Sequence, residues 1–305
     1  MAYDQLPHME TFAQAAESNS FTAAARALGL TQAAVSQRIS SLEQTLGVSL
    51  FRRKGGRVLL TEAGRRLYPF AQRILLLHGE ARQQVTRHKK PQAGELHLAA
   101  SSIPGEHLLP TFLSAFRQRY PHIQVQATVT DTLAVLKQVE QGQVHLGLVG
   151  GRRNSQHLEF RPFACDKLMV VVPSGHVLGR HKQISARQLF RLPLILREPG
   201  SGSRWCLEDA LGQAGRSVRD LRITLELGSN EAIKEAILRG LGASVLSTHA
   251  VKKELQSGEL HSLRVTDIPL KRDMFLVWDR RRVLPIPARL FLDFLQPCPG
   301  AALGS

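Results

Sequence analysis

The 305-residue sequence predicts an α/β chain in three parts. These are an N-terminal winged helix-turn-helix over residues 1–60, a long linker helix over 61–90, and a two-lobed α/β domain over 91–305. Three observations predict this. Residues 20–57, SFTAAARALGLTQAAVSQRISSLEQTLGVSLFRRKGGR, read as two short helices followed by an arginine-rich hairpin. From Thr61 to His88, apolar residues recur near heptad spacing. Beyond residue 94, short apolar runs alternate with amphipathic segments, the order that builds parallel sheets.

In the first part, Ser20 caps a helix from Phe21 to Leu28 that Gly29 stops, and Thr31 caps a second that Gly47 stops. Val35, Ile39, Leu42 and Leu46 share one face of the second helix. The opposite face carries Ala33, Ser36, Gln37, Ser40 and Gln44, small or amide-bearing and suited to base edges. Ala23, Ala24, Ala25 and Ala27 permit close approach of the first helix, and an upstream helix bearing Leu6, Met9, Phe12 and Ala16 covers the rest of this core. Phe51 to Leu60 alternate around Gly55-Gly56, a hairpin signal with cations at its tip. Such a division of labour suits duplex DNA, with arginines on phosphates and a polar helix face on bases. The competing reading is an α-hairpin with a solvated polar face.

In the linker helix, Leu67, Phe70, Ile74, Leu77, Ala81 and Val85 form one narrow apolar seam, which predicts pairing with a second copy. Pro69 removes the hydrogen bond to the Arg65 carbonyl and predicts a kink, or a break, there.

After a polar linker, strands are predicted at 96–100, 123–129 and 144–149, with helices at 108–120 and 131–141. A second set follows: strands at 167–173, 194–196, 224–227 and 243–246, with helices at 205–213 and 230–239. The chain then returns through a strand at 274–278 and a helix at 288–295. Two similar α/β units imply two lobes, about 94–161 with 267–297 and about 162–266. Ligands in such folds sit beyond the carboxyl ends of the strands.

The formal charge is +15, of which +7 falls in residues 1–93 and +8 in the remaining 212. Charge density is thus about twice as high where the DNA reader is predicted, as phosphate affinity requires. The three cysteines, Cys165, Cys206 and Cys298, suggest neither a disulfide framework nor a metal cluster. Neither a signal-peptide pattern nor a membrane-length apolar run is present, so a cytoplasmic location is expected. GSGSRW lacks the third glycine of a dinucleotide fingerprint, and no Walker A lysine motif or GxSxG elbow occurs. No cofactor, metal or catalytic residue is expected, and the chain does not read as an enzyme.

The segments FTAAARALGLTQAAVSQRISSLEQTLGVSLFRR and LTEAGRRL, with LPTFLSAFRQRYP, LREPGSGSR and SNEAIKEAILRGLGASVLS further on, resemble the LysR-type transcriptional regulators over nearly the whole chain. Ala33 stands where that family has a proline. The second half resembles the branch containing regulators of sulfur assimilation and carbon dioxide fixation. The resemblance implies an effector domain like a periplasmic binding protein and a dimerising linker helix. It also implies a homotetramer on a bipartite promoter operator, with a small-molecule effector altering the DNA contacts. By position it puts base contacts on Gln32, Ser36, Gln37 and Arg38, and wing contacts on Arg52, Arg53 and Arg57. RNA polymerase is a further expected partner.

Ser101 and Ser102 end the first strand before a helix, Thr130 ends the second, and Gly200-Ser201-Gly202-Ser203 and Asn230 open helices. Such hydroxyls and helix-start amides can hold a carboxylate, sulfate or phosphate. In the family it resembles, the corresponding positions face the inter-lobe cleft, so the resemblance implies Ser101, Ser102, Thr130, Ser201, Gly202, Ser203 and Asn230 as effector contacts. The alternative for Ser101, Ser203 and Asn230 is a helix cap and nothing more. Arg197 and Glu198 either point into the cleft or pair with each other.

Overall fold

A computed structural model of the chain describes residues 5–54, 57–85 and 94–295; the side chains at 53, 54, 57, 80 and 82–85 lie outside that description. The chain forms two compact units, one of residues 1–91 and the other, in the main, of residues 92–305.

The first unit contains α1 (Leu6–Ser18), α2 (Phe21–Leu28), α3 (Gln32–Leu46), the hairpin β1 (Phe51–Lys54) and β2 (Arg57–Leu60), and α4 (Glu62–Val85). The helix ends follow local chemistry. The Ser20 hydroxyl accepts from the Ala23 amide and the Thr31 hydroxyl from the Ala34 amide, both at 3.2 Å. Gly29 and Gly47 end their helices at φ +64° and +69°, a region costly for residues bearing a Cβ. Phe12, Ala24, Ala25, Val35, Ile39, Leu42 and Leu50 form the core. In α4, Ala63, Leu67, Tyr68 and Ala71 pack on that core, whereas Phe70, Ile74 and Leu77 are exposed. Pro69 does not break α4, which runs continuously for 24 residues, about 36 Å at 1.5 Å per residue. Packing on both sides of the proline offsets its one missing hydrogen bond.

The second unit begins with β3 (Gly94–Ser101), a π-helical turn (Pro104–Leu108) and α5 (Leu109–Arg119), then β4 (Ile123–Thr130), α6 (Thr132–Gln141) and β5 (Leu146–Val149). It continues through β6 (Leu158–Pro173), β7 (Gln183–Ile184), α7 (Ala186–Leu189), β8 (Leu194–Arg197), α8 (Gly202–Gln213), β9 (Ile223–Leu227) and α9 (Asn230–Leu238). It closes with β10 (Ser244–Ser247), α10 (Lys252–Ser257), β11 (Leu260–Val265), β12 (Lys271–Asp279) and α11 (Ile286–Phe294).

Strands β4, β3 and β5 are parallel, as expected. The sheet then continues antiparallel through β12 to β6. Beyond Lys167, β6 leaves β12 and pairs instead with β10 and β11, which belong to the second lobe. The two long strands β6 and β12 therefore carry the chain between lobes. β6 begins nine residues before its expected start at Lys167, because Arg161-Pro162 and Asp166 interrupt its apolar alternation. Pro162 fits because the register slips beside it, between Met274 and Phe275, and a bulge tolerates a residue without an N–H.

Asp279 ends β12 and gathers the basic turn that follows. Its carboxylate accepts from Arg281 Nη2 at 2.7 Å and from Arg282 Nε at 3.1 Å. Burial alone would raise this carboxyl, but the hydrogen bonds from Arg281 and Arg282 outweigh it and hold it at about 2, below its ordinary 3.8. A group depressed in the folded state stabilises the fold above its unfolded value and loses that contribution as pH falls through the folded one. Asp279→Asn is expected to cost about 2 kcal/mol near neutral pH, with the difference from wild type fading between about pH 4 and pH 2. Urea midpoints measured across that range check it; a pH-independent difference would assign the loss to packing instead.

Candidate functional site

The first candidate surface lies on α3 and the hairpin. Val35, Ile39 and Leu42 turn inward, so the opposite face is left outside. Gln32 and Gln37 are exposed there and Ser36 is half-buried. Ser36, Ser40 and Glu43 line a groove of about 220 Å³ whose other wall is Phe51, Arg52 and Val58 of the hairpin. Arg38 departs from expectation. It lies two residues, or about 200°, around the helix from Ser36, and its Nη1 donates to the Thr11 hydroxyl on α1 at 3.3 Å. It braces the helix from behind rather than facing outward with Ser36. Arg52 is exposed, while the side chains of Arg53 and Arg57 lie outside the described residues.

Glu43 was not foreseen. Its Oε1 accepts from the Leu50 amide at 2.6 Å and the Phe51 amide at 3.1 Å. One carboxylate thus fixes the start of the hairpin against α3. No periodicity marks such a residue, since its partners are the amides of a loop.

The second candidate is a narrow cleft within the unit of residues 92–305, enclosing about 10 Å³, roughly the space of one water. Its walls come from the end of β3 (Ser101, Ser102), the start of α6 (Asp131, Thr132), the end of β8 (Arg197), the loop opening α8 (Ser201 to Ser203), and Arg272 of β12. Of the expected contacts, Ser101, Ser102, Ser201, Gly202 and Ser203 come together here. Thr130 does not line the cleft. It pairs in register with Ser101 at the end of β4, and the chain turns so that Asp131 and Thr132 take the position expected of it.

The capping alternative separates the remaining residues. Ser201 is the cap of α8, its hydroxyl accepting from the Ser203 amide at 3.3 Å. Ser229, not Asn230, caps α9. The Ser101 hydroxyl accepts from the Gly150 amide at 3.2 Å, joining the ends of β3 and β5. Asn230 is buried off the cleft wall, with its Oδ1 accepting from Arg197 Nη1 at 2.8 Å.

Arg197 does both things expected of it: it lines the cleft and it pairs with Glu198. Its Nε and Nη2 donate to the two Glu198 carboxylate oxygens, each at 2.7 Å, and Nη2 also reaches the Ser102 hydroxyl at 3.4 Å. Arg272 is the second cation at the cleft. Its Nε and Nη2 bind Asp166 at 2.9 and 2.7 Å, and its Nη1 donates to the Gly150 carbonyl at 3.1 Å.

The two sides of the cleft are in close contact. The Leu133 amide donates to the Gly200 carbonyl at 3.3 Å. A Cβ at Gly202 would lie 2.7 Å from Thr132 Oγ1 and 3.0 Å from the Gly150 carbonyl, so glycine is what lets the α8 loop approach. Thr132 Oγ1 is buried and has no hydrogen-bond partner among the described residues, and the same holds for Asn230 Nδ2. Buried polar atoms are rarely left unpaired.

Among the described residues no group of three or more metal-ligating side chains occurs, and no helix is long and apolar enough to cross a membrane. Burial pushes the Cys206 thiol up to about 11, the opposite of the shift a reactive thiolate needs.

Residues 6–65 match the bacterial regulatory helix-turn-helix protein of the lysR family, and residues 89–297 match the LysR substrate binding domain. The chain belongs to the LysR family. It is a DNA-binding transcription regulator with a two-lobed effector-binding domain, in a family of regulators rather than enzymes. This LysR-family chain is 35% identical over 285 residues to the probable RuBisCO transcriptional regulator of Trichormus variabilis, covering 92% of this chain and 85% of that one. It is 32% identical over 290 residues to the HTH-type transcriptional activator CmpR of Synechocystis sp., covering 95% and 94%. These relatives bear out the carbon-fixation side of the branch resemblance. The LysR-family fold is shared with the crystal structure of CbnR, at TM-score 0.71 and 21% identity over 95% of this chain and 97% of that one. The Synechocystis CcmR regulatory domain, solved in complex with 2-PG, is 31% identical with a TM-score of 0.60, covering 66% of this chain and 95% of that one.

Proposed function

We propose that this regulator reads a promoter operator through Gln32, Ser36 and Gln37 of α3 and through the hairpin cations Arg52, Arg53 and Arg57. In this reading a small anion, a carboxylate or a phosphate ester, enters the cleft and alters those contacts. The observation that carries it is the buried Arg197 guanidinium at a cleft lined by hydroxyls, with Thr132 Oγ1 left without a partner among the described residues. The CcmR domain that binds 2-PG, an anion, supports the same chemistry. The exposed Phe70, Ile74 and Leu77 on α4 support a homodimer paired through that helix, and two such dimers would make a homotetramer on a bipartite site. The protein would act in the cytoplasm, with RNA polymerase as a further partner at the promoter.

Promoter-length duplex titrated at several salt concentrations tests the DNA half. Arg52→Ala is expected to weaken binding across sequences and reduce the salt slope by about 1. Gln32→Ala is expected to cost about 1–3 kcal/mol on the preferred site and relax its sequence preference. Unchanged binding by both variants would sink the surface assignment. Adding 2-phosphoglycolate to the same duplex titration tests the effector half.

A further inference from the structure

We propose that Glu198 is a built-in stand-in for the effector: its carboxylate holds the two-pronged edge of Arg197 until the acidic group of an incoming ligand displaces it. The proposal rests on the anionic-effector reading above and adds the residue with which the ligand competes.

The Arg197 side chain is only 4% exposed, so its charge requires an anionic partner. Glu198 supplies one through two parallel bonds of 2.7 Å, the fork geometry that a guanidinium offers any planar or tetrahedral oxyanion. The third arm of the guanidinium is held separately by Asn230 Oδ1. Arg197 therefore stays in place when its edge changes partner.

The two cations at the cleft differ in whether their carboxylates can leave. Asp166, the partner of Arg272, has no exposed side-chain surface, and its other oxygen is held by the Ser247 hydroxyl at 2.7 Å. Displacing it would bury an unpaired charge. The Glu198 side chain is 26% exposed, and among the described residues its carboxylate bonds Arg197 alone. Side-chain rotation suffices to carry it into water, where its charge is solvated.

The edge it leaves fits a carboxylate or phosphate terminus. Thr132 Oγ1, buried, lining the cleft and without a partner among the described residues, calls for a second polar group on the same ligand. The class is therefore a small acid bearing one oxyanion end and a second oxygen function. Neutral ligands cannot compensate Arg197 and leave Glu198 in place. Because Glu198 repels the ligand it competes with, removing its charge strengthens binding.

Calorimetric titration of the full chain with 2-phosphoglycolate, inorganic phosphate and glycolate in separate arms tests this. Glu198→Gln is expected to bind 2-phosphoglycolate about tenfold more tightly than wild type, as expected when a like charge is removed from the site. Arg197→Gln is expected to lose about tenfold or more. Whichever of phosphate and glycolate shares the gain in Glu198→Gln identifies the end that sits on Arg197. Glu198→Ala serves as a second variant, and melting curves with DNA binding show that each variant is folded. Binding by wild type that is unchanged or weakened in both Glu198 variants overturns the exchange and leaves the anionic reading standing. Absence of binding by wild type and variants in all three arms overturns both.

Discussion

Asp166→Ala is expected to lower the unfolding free energy of the effector-binding domain by about 3–5 kcal/mol, the range for removing one partner of a buried ion pair. Asp166 and Arg272 face each other in register on β6 and β12, the strands that carry the chain between lobes. The Asp166 side chain is wholly enclosed and that of Arg272 nearly so, at 0% and 7% exposure. The variant would leave the guanidinium with one carbonyl, that of Gly150, and the Ser247 hydroxyl without its acceptor. Urea denaturation of the full chain measures the loss. The double variant Asp166→Ala, Arg272→Met is expected to recover much of it, because no uncompensated charge remains. A loss below about 1 kcal/mol would mean that the pair behaves as a surface ion pair and that water reaches the crossover.

What could be read in advance, and what could not, divides by distance along the chain. Ser20, Gly29, Thr31 and Gly47 were legible because a cap and the backbone groups it bonds lie within four residues of each other. The cleft loops were legible for a related reason. Residues just beyond the carboxyl ends of parallel strands converge whatever the details of the sheet, so Ser101 and the Ser201–Ser203 loop could be placed beside one another. The Asp166–Arg272 pair was not legible, since 106 residues separate the two and only the register of β6 on β12 joins them. Thr132 was missed for the opposite reason. A shift of two residues past the strand end decides whether Thr130 or Thr132 faces the cleft, and periodicity does not resolve strand ends that finely. Arg38 shows the same limit on a helix: the resemblance put it among the base contacts by position, but the helical angle turns it toward Thr11. Arg197 and Glu198 stood as two alternatives that the structure joins, because one guanidinium has enough donors to do both.

Two glycines of α4 are expected to respond to alanine with opposite signs. At Gly64 an added Cβ would run into the Leu50 carbonyl oxygen and come within 2.8 Å of Leu60 Cδ2. That carbonyl cannot retreat easily. It accepts from the Thr61 amide at 2.9 Å, while the Leu50 amide is held at 2.6 Å by Glu43 of α3. The obstacle is therefore backbone, pinned from the recognition-helix side and from the linker-helix side at once. Gly64→Ala is expected to cost about 3 kcal/mol, the upper part of the range for overpacking. It should also weaken DNA binding more than about tenfold, since about 1.4 kcal/mol of lost hairpin placement suffices for that. At Gly79, in the same helix, an added Cβ meets nothing within 4 Å, and alanine is expected to add about 0.5–1 kcal/mol by removing a flexible residue from a helix interior. Melting curves and duplex titrations on the two variants separate helix propensity from packing. If Gly64→Ala were as stable as wild type and bound DNA as tightly, the joint between hairpin, α3 and α4 would have to be looser than the hydrogen bonds at Leu50 describe.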